Sequence, residues 1–364
     1  MASSESTIAA VEKALAKFNE PLLGADLIST KSLKDIQLDD GRLTLRVVFG
    51  FPCAGYHETL QANLARHLRD IEGVRGVDVE VESKVVAHVV QKGVEPLKNI
   101  RNIIAVASGK GGVGKSTVAA NLALALKAEG AAVGMLDADI YGPSQPRMLG
   151  AGGRPESNDG RTMEPVVSYG VQSMSIGYLV EEETPMIWRG PMVTQALEQL
   201  LKETNWANLD YLIVDLPPGT GDIQLTLSQK IPVAGAVIVT TPQDIALLDA
   251  RKGFKMFEKV GVPVLGVVEN MSIHICSKCG HEERVFGEGG GERMSKQYGI
   301  DLLGVLPLQL DIRLDADAGE PTVVKSPDSR VADEFRAIAR RTAAKLAQQP
   351  KNYAQAFPNI MVQN

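Results

Sequence analysis

Short apolar segments alternate with helical stretches from residue 102 onward, and this alternation limits the possible folds more than any other feature. The apolar segments are IIAVAS, AVGMLDAD, YLIVDLPPG, AGAVIVTTP and PVLGVVENM, and helices are predicted to begin near Lys115, Thr194, Ile223, Ala246 and Gly291. Apolar strands separated by helices are typical of a parallel sheet covered on both faces. The pattern predicts a doubly wound, mostly parallel α/β domain over residues 102–347, with ligands beyond the carboxyl ends of its strands.

A smaller pattern occupies residues 1–90. Apolar residues recur at helical spacing over residues 8–18 and again from residue 58, and the segments LTLRVVFGF and VDVEVE have the composition of strands. These features predict a small α/β domain, followed by a linker over residues 91–101. Residues 150–162 are predicted to be a mobile, Gly-rich surface loop, and residues 348–364 a C-terminal tail.

The composition of the 364-residue chain excludes several classes of protein. The net charge of −6 argues against nucleic-acid binding, and no apolar run approaches the ~20 residues that a membrane-spanning helix needs. The N-terminal sequence MASSESTIAAVEKAL lacks the features of a signal or transit peptide. Three cysteines fit a reducing compartment better than a disulfide scaffold. A cytoplasmic protein that binds neither nucleic acid nor membrane is expected.

The segment SGKGGVGKST, residues 108–117, contains the complete P-loop motif between a predicted strand and a predicted helix. Backbone N–H groups of such a loop and the helix N-terminus bind phosphate oxygens, the charge of Lys115 lies at the β- and γ-phosphates, and the Ser116 hydroxyl suits Mg²⁺. The predicted ATP-binding residues of the loop are Gly109, Lys110, Gly111, Gly112, Val113, Gly114, Lys115, Ser116 and Thr117.

Polar residues follow later strands at the ends where ligands bind in such a sheet. Asp215 ends YLIVD, where a carboxylate is able to hold Mg²⁺, often through water. Asp137 and Asp139 end AVGMLDAD, and we interpret Asp137 as ordering the loop or the magnesium waters. Gly219 suits a backbone hinge that senses the γ-phosphate, and the Asn270 amide is able to pair with an adenine edge. Strand-terminal caps and a turn-forming asparagine are the simpler alternatives.

A second lysine, Lys110, directly follows the first glycine of the motif. The segment KGGVGKST resembles the deviant P-loop of the MinD/ParA class of ATPases. The resemblance implies that Lys110 reaches into the nucleotide site of a partner subunit in a homodimer, although a solvated loop lysine is the alternative. It also implies that Asp139 positions the attacking water and that Asn270 contacts the base. Lys110, Lys115 and Asp139 are therefore the predicted catalytic residues.

Two of the three cysteines lie in HICSKCGHEE, residues 274–283, and four interpretations of them are open. A structural zinc site would combine His274, Cys276, Cys279 and His281, which is more crowded than the usual zinc motifs. A redox dithiol would normally begin a helix after a strand, and incidental cysteines fit poorly in so polar a segment. The fourth interpretation is half of an iron–sulfur site, because a cluster typically takes four thiolates and a symmetric dimer would supply them.

Several segments spread over nearly the whole chain carry a more specific resemblance. They are GKGGVGKST, LDADIYGPSQPRMLG, IWRGPMV, DYLIVDLPPGTGDIQLTL, TTPQDIAL, GVVENMS and CSKCG. In combination they resemble the Mrp-type (ApbC-like) iron–sulfur cluster carrier ATPases. The resemblance implies Mg²⁺-dependent ATP hydrolysis, a homodimer, and a labile [4Fe–4S] cluster held by Cys276 and Cys279 of both subunits. It also implies delivery of the cluster to apoproteins, with scaffold proteins as donors. His274 and His281 are outside the family's ligand set.

The N-terminal unit resembles the small α/β domain of iron–sulfur assembly factors. Its FPCAG segment places Cys53 just before the helix predicted near His57, and a helix N-terminus would lower the pKa of this thiol. Cys53 is accordingly a candidate accessory contact for metal or cluster, with an inert loop cysteine as the alternative.

Two other functions remain open at this point: a MinD/ParA-like positioning ATPase and a zinc-binding P-loop protein. A positioning ATPase needs a membrane helix or a basic stripe. The only candidate is the amphipathic stretch that begins at Val331, and its narrow apolar face favours packing on the sheet instead.

Overall fold

The structure, a computed structural model, describes residues 4–180 and 190–352. Residues 4–83 form a small α/β unit whose elements are α1 (Ser4–Leu15), β1 (Leu33–Asp39), β2 (Arg42–Phe49), α2 (His57–Leu68) and β3 (Gly76–Ser83). The central strand β2 pairs with β1 in antiparallel and with β3 in parallel orientation. Alternate residues of β2 are buried, so its apolar face forms a core with the two helices.

The larger sheet confirms the predicted α/β fold class. Its strands and an inserted hairpin are β4 (Ile100–Ala107), β5 (Val133–Asp137), β6 (Val166–Ser168), β7 (Val171–Ser175), β8 (Leu209–Asp215), β9 (Gly235–Thr240), β10 (Val264–Glu269), β11 (His274–Ile275), β12 (Glu282–Glu283) and β13 (Leu302–Val305). Among the described residues, eight strands pair in the order β13-β10-β9-β4-β8-β5-β7-β6, and β11 and β12 form a separate two-stranded hairpin. The sheet is parallel except for β6.

Helices cover both faces of this sheet. They are α3 (Lys115–Ala128), α4 (Gln145–Met148), α5 (Gly190–Lys202), α6 (Asp222–Lys230), α7 (Asp244–Val260), α8 (Gly290–Tyr298), α9 (Leu310–Asp317), α10 (Thr322–Lys325) and α11 (Arg330–Ala347). One core lies between the sheet and α3 and α11, and a second between the sheet and α5, α6 and α7. The predicted helix starts agree with the structure within two residues, except for α5, which begins at Gly190 rather than near Thr194. The first residues of IWRGPMV lie outside the described ranges.

The last helix is an integral part of the fold. Val331, Phe335, Ile338 and Leu346 are all buried, and α11 packs against α3 and the β13 edge of the sheet. The apolar face that a membrane-binding helix would expose is therefore occupied. No helix within the described ranges combines the length and hydropathy required to cross a membrane.

Glu129, at the end of α3, connects the small unit to the large one. Its carboxylate is 1% exposed, forms an ion pair with Arg340 of α11, and accepts a hydrogen bond of 2.9 Å from the Gly55 N–H. Its carbonyl oxygen accepts a further hydrogen bond from the Ala54 N–H at 3.2 Å. The helix that begins at the P-loop therefore ends against the N-terminal unit.

Candidate functional site

The P-loop connects the carboxyl end of β4 to the first turn of α3. Gly112 and Gly114 both have φ values of 80°, a conformation that strongly favours glycine. Gly109 lies against the backbone of α7, where a Cβ would overlap the carbonyl group of Asp249. Glycine is therefore required for the curvature of the loop at two positions and for close approach of two backbones at a third.

Lys115 and Asp215 form a buried ion pair below the loop. Lys115 is 6% exposed and Asp215 is fully buried. Lys115 Nζ also lies 3.2 Å from Ser116 Oγ, and the second carboxylate oxygen of Asp215 accepts a hydrogen bond of 2.9 Å from Gln145 Nε2. Because a buried charge needs a partner, Asp215 neutralises Lys115 in this structure, and a phosphate group at the lysine would compete with this carboxylate.

The same residues fit a magnesium site. The Ser116 hydroxyl and the Asp215 carboxylate both lie against Lys115, and hard oxygen ligands are those that Mg²⁺ prefers. Gln145 Nε2 connects Ser116 to Asp215, because it donates to the Ser116 carbonyl oxygen at 3.0 Å as well as to the Asp215 carboxylate.

Asp137 lies beside Asp215, because these two residues are paired across the parallel strands β5 and β8. Its carboxylate accepts hydrogen bonds from the backbone N–H groups of Asp139, Ser144 and Gln145 at 3.2, 2.9 and 3.0 Å. Burial, together with the negative charge of Asp215, raises the pKa of Asp137. The loop that follows β5 is therefore folded around this carboxyl group.

Asp139 is half-buried at the start of the same loop. Burial raises the pKa of its carboxyl group, against the opposing effect of the Lys115 charge. The structure therefore brings the three aspartates predicted from the sequence, Asp137, Asp139 and Asp215, to one end of the sheet next to the P-loop.

Lys110 and Gly219 connect the P-loop to the segments before α7 and after β8. Lys110 Nζ is 3.3 Å from Oε1 of Gln243, the residue before α7. Gly219 has a φ of 98° and its N–H donates to the carbonyl oxygen of Ser108 at 3.1 Å. The segment after β8 is thus tied to the first residue of the P-loop motif.

Asn270 contacts the P-loop itself. The residue is buried, and its Nδ2 donates a hydrogen bond of 2.9 Å to the carbonyl oxygen of Val113. A Cβ at Gly114 would overlap Asn270 Nδ2, so the loop and this side chain are closely packed.

Cys276 and Cys279 lie at the tip of the β11–β12 hairpin, directly after β10. The Cys276 N–H donates to the carbonyl oxygen of His281 at 3.0 Å, and the Gly280 N–H donates to the carbonyl oxygen of Cys276 at 2.9 Å. These bonds close a tight turn around the thiols. Cys276 is half-buried and Cys279 is exposed.

The turn favours the metal-binding form of Cys276. Backbone N–H groups of Lys278 and Cys279 donate to its sulfur, and they lower the pKa of the Cys276 thiol, with a smaller effect of the Cys279 side chain. The thiolate is the form that binds metals.

His274 and His281, which flank the two thiols, do not gather with them around one metal-binding centre. His274 Nδ1 is hydrogen-bonded to the carbonyl oxygen of Leu308 at 3.2 Å, and His281 is exposed. Within residues 4–180 and 190–352, no three His, Cys, Asp or Glu side chains are grouped so as to hold a metal ion.

The expectation that the thiol pKa of Cys53 is lowered is wrong. Cys53 is fully buried, and its burial raises the pKa of the thiol to about 11. A turn of 3-10 helix, Ala54–Tyr56, separates it from α2, which begins at His57. The thiol lies 3.6 Å from Ser83 Oγ inside the core of the small unit. The physical basis for an accessory metal contact is therefore absent.

Gln145, which was not predicted as a site residue, joins Asp215 to the P-loop. It lies in the segment LDADIYGPSQPRMLG, six residues after Asp139. No local sequence pattern marks a glutamine as buried. Its place shortly after Asp137 and Asp139 is the one sequence feature that could have suggested a role at this site.

Two family models match the chain. The model described as ParA, NUBPL iron-transfer P-loop NTPase, matches residues 99–343. The model described as iron–sulfur cluster assembly protein matches residues 8–81.

Individual proteins match over most of their length. The iron–sulfur cluster carrier protein of Escherichia coli K12 is 51% identical over 345 residues, which are 94% of each chain. The iron–sulfur cluster transfer protein NUBPL of Mus musculus is 51% identical over 71% of this chain and 81% of its own. A solved nucleotide-binding protein from Archaeoglobus fulgidus, in complex with ADP and with cobalt found in it, is 37% identical with a TM-score of 0.57, over 66% of this chain and 93% of that one.

Proposed function

Because the chain belongs to the family of NUBPL iron-transfer P-loop NTPases, we propose that it is an ATP-dependent iron–sulfur cluster carrier. In this proposal it binds and hydrolyses ATP, holds a labile [4Fe–4S] cluster on Cys276 and Cys279, and transfers the cluster to apoproteins. The observation that carries the proposal is the hairpin geometry. Two adjacent thiols, one with a lowered pKa, lie at an accessible tip that follows β10, and Asn270, the first residue after this strand, contacts the P-loop.

The residues around the P-loop have distinct roles in this proposal. Backbone N–H groups of residues 109–117 and the Lys115 ammonium bind the phosphates, and Ser116 with Asp215 holds Mg²⁺, the latter through water. Magnesium supplies charge neutralisation on the phosphates. Asp139 positions the attacking water, and Asn270 adds a contact to the base beside its contact to Val113.

The cluster lies between two copies of the chain in this proposal. Each copy presents two thiols, and a [4Fe–4S] cluster typically takes four thiolate ligands. A twofold axis brings the same surface of both copies together, so four thiols meet at the axis. In the same homodimer Lys110 reaches the nucleotide of the partner subunit. A cluster in such an exposed position is removable, which suits transfer from scaffold donors to acceptor apoproteins.

The domain assignment that accompanies this function has two parts. Residues 1–90 are an assembly-type accessory domain, and residues 348–364 are a tail. The ATPase between them begins with β4 at Ile100, so the linker predicted at 91–101 is shortened to 91–99 and the ATPase extends over 100–347. The family match at residues 8–81 supports the first part.

Cluster transfer tests the proposal directly. The protein is loaded with iron and sulfide under anaerobic conditions and mixed with the apo form of a [4Fe–4S] dehydratase, and the recovered dehydratase activity is measured. Cys276→Ala and Cys279→Ala should fail to activate the acceptor, whereas Ser277→Ala, in the same turn, should activate it like the native chain. Equal activation by the cysteine variants would refute the role of the hairpin. Tightly bound zinc in place of iron would favour the zinc-binding alternative.

A further inference from the structure

Residues 269–271 join the P-loop to the hairpin that bears the thiols. We propose that Asn270 and Met271 are positioning residues that transmit the nucleotide state of the P-loop to Cys276 and Cys279. This inference rests on the proposed function, because it concerns the regulation of the same cargo site.

On one side, Asn270 contacts the P-loop and the Met271 side chain lies next to it. Asn270 Nδ2 donates to the carbonyl oxygen of Val113 at 2.9 Å. A Cβ at Gly114 would overlap Asn270 Nδ2 and would lie 3.6 Å from Met271 Cε. Val113 and Gly114 directly precede Lys115, for which phosphate oxygens would compete with Asp215. Because packed interiors transmit displacement, a shift of the loop moves both side chains.

On the other side, hydrogen bonds hold both ends of the segment that contains the hairpin. The buried Glu269 carboxylate accepts a hydrogen bond of 2.5 Å from the Gly291 N–H at the start of α8, where a negative charge also stabilises the helix N-terminus. At the other end, the N–H and Oγ of Ser272 donate to the carbonyl oxygen of Leu306 at 3.0 and 3.1 Å. Residues 272–290 are thus held at both ends beside residues 269–271.

The backbone at the junction is itself unusual. Met271 has a φ of 57°, and few residues with long side chains adopt this left-handed region. Such a conformation persists where the surroundings determine it, and here the P-loop is part of those surroundings. A change in the position of the loop beside Met271 therefore alters the direction in which the chain enters the hairpin.

Hydrogen exchange of the metal-free protein tests this coupling. Exchange of residues 274–283 is measured with and without saturating Mg–ADP, at a concentration at which light scattering shows single chains, so that contact between copies does not protect the hairpin. In the native chain ADP should change the exchange rate of this segment by about fivefold or more. Met271→Gly, which allows the positive φ but removes the side chain, should abolish the change at ADP saturation. Met271→Leu, which keeps an apolar side chain, should retain it.

Two outcomes would overturn the inference: a native hairpin that does not respond to ADP, or a response that persists in Met271→Gly or in Asn270→Ala. If Met271 had only a structural role, Met271→Gly would change the exchange of residues 274–283 by the same factor with and without ADP. The effect of ADP would then be unchanged, which also contradicts the coupling. Neither outcome bears on cluster binding, because the measurement contains no metal. Failure of the proposed function appears instead as loss of cluster transfer.

Discussion

Replacement of Asp215 with asparagine removes the negative charge that faces Lys115 and nearly preserves the shape of the site. In Asp215→Asn the lysine ammonium, which is 6% exposed, loses its carboxylate partner. Breaking a buried pair from one side costs about 3–5 kcal/mol. The flexible lysine side chain and the nearby Asp137 carboxyl compensate in part, so we expect the free energy of unfolding to fall by about 2–4 kcal/mol.

The same substitution has opposite effects on nucleotide binding with and without magnesium. In EDTA the phosphates no longer compete with Asp215 for Lys115, and we expect ADP to bind about tenfold more tightly, which corresponds to about 1.4 kcal/mol. With Mg²⁺ present, the variant lacks the carboxylate that is proposed to hold the ion. Added Mg²⁺ should therefore improve ADP binding much less than in the native chain.

Urea unfolding and isothermal titration calorimetry measure the two effects. Asp317→Asn is the control, because this carboxylate is 51% exposed and pairs with Arg313 on one helix face, where the expected loss is below about 0.5 kcal/mol. The reasoning is refuted if Asp215→Asn is as stable as the control and binds ADP in EDTA with native affinity.

Three other expectations are tested with single variants or reagents. Gly109→Ala should abolish ADP binding in a titration, because its Cβ overlaps the backbone of α7, whereas Gly76→Ala, with open space around it, should bind normally. In the folded protein, iodoacetamide should label Cys276 at a lower pH than an ordinary thiol, because the pKa of Cys276 is lowered and its thiolate forms at lower pH. Cys53, whose pKa is raised to about 11, should stay unlabelled at pH 8. Mass spectrometry measures the labelling of both residues. Glu129→Gln should lower the free energy of unfolding in urea by about 1–3 kcal/mol, since a buried charge-assisted hydrogen bond is lost; an unchanged midpoint would contradict the connection it makes between the two units.

The central strands were predictable because burial on both faces leaves a continuous apolar run. In β4 every residue except Arg101 is buried, and the sequence shows it. The edge strand β13, with four residues and partial exposure, has no such pattern and was missed, as were β1, β6 and β7. Such strands are defined by their hydrogen-bonding neighbours rather than by their own composition.

The P-loop and the strand-end aspartates were predictable for a different reason. Parallel strands end at one edge of the sheet, so Asp137 and Asp215 had to meet there. The family resemblance was confirmed by matches over both parts of the chain. The contacts of Glu129 and Met271 were not predictable, because their partners are distant in sequence. The pKa of Cys53 was predicted wrongly because local sequence does not report burial.

The central claim is that Cys276 and Cys279 form half of a cluster site that two copies complete. Anaerobic reconstitution with iron and sulfide, followed by separation of monomer from dimer and analysis of iron and sulfide in each, tests it most directly. We expect about four iron and four sulfide per dimer, a [4Fe–4S] Mössbauer spectrum, and loss of both in Cys276→Ala or Cys279→Ala. A metal that stays bound to the monomer, or iron retained at the native level by either cysteine variant, would contradict it.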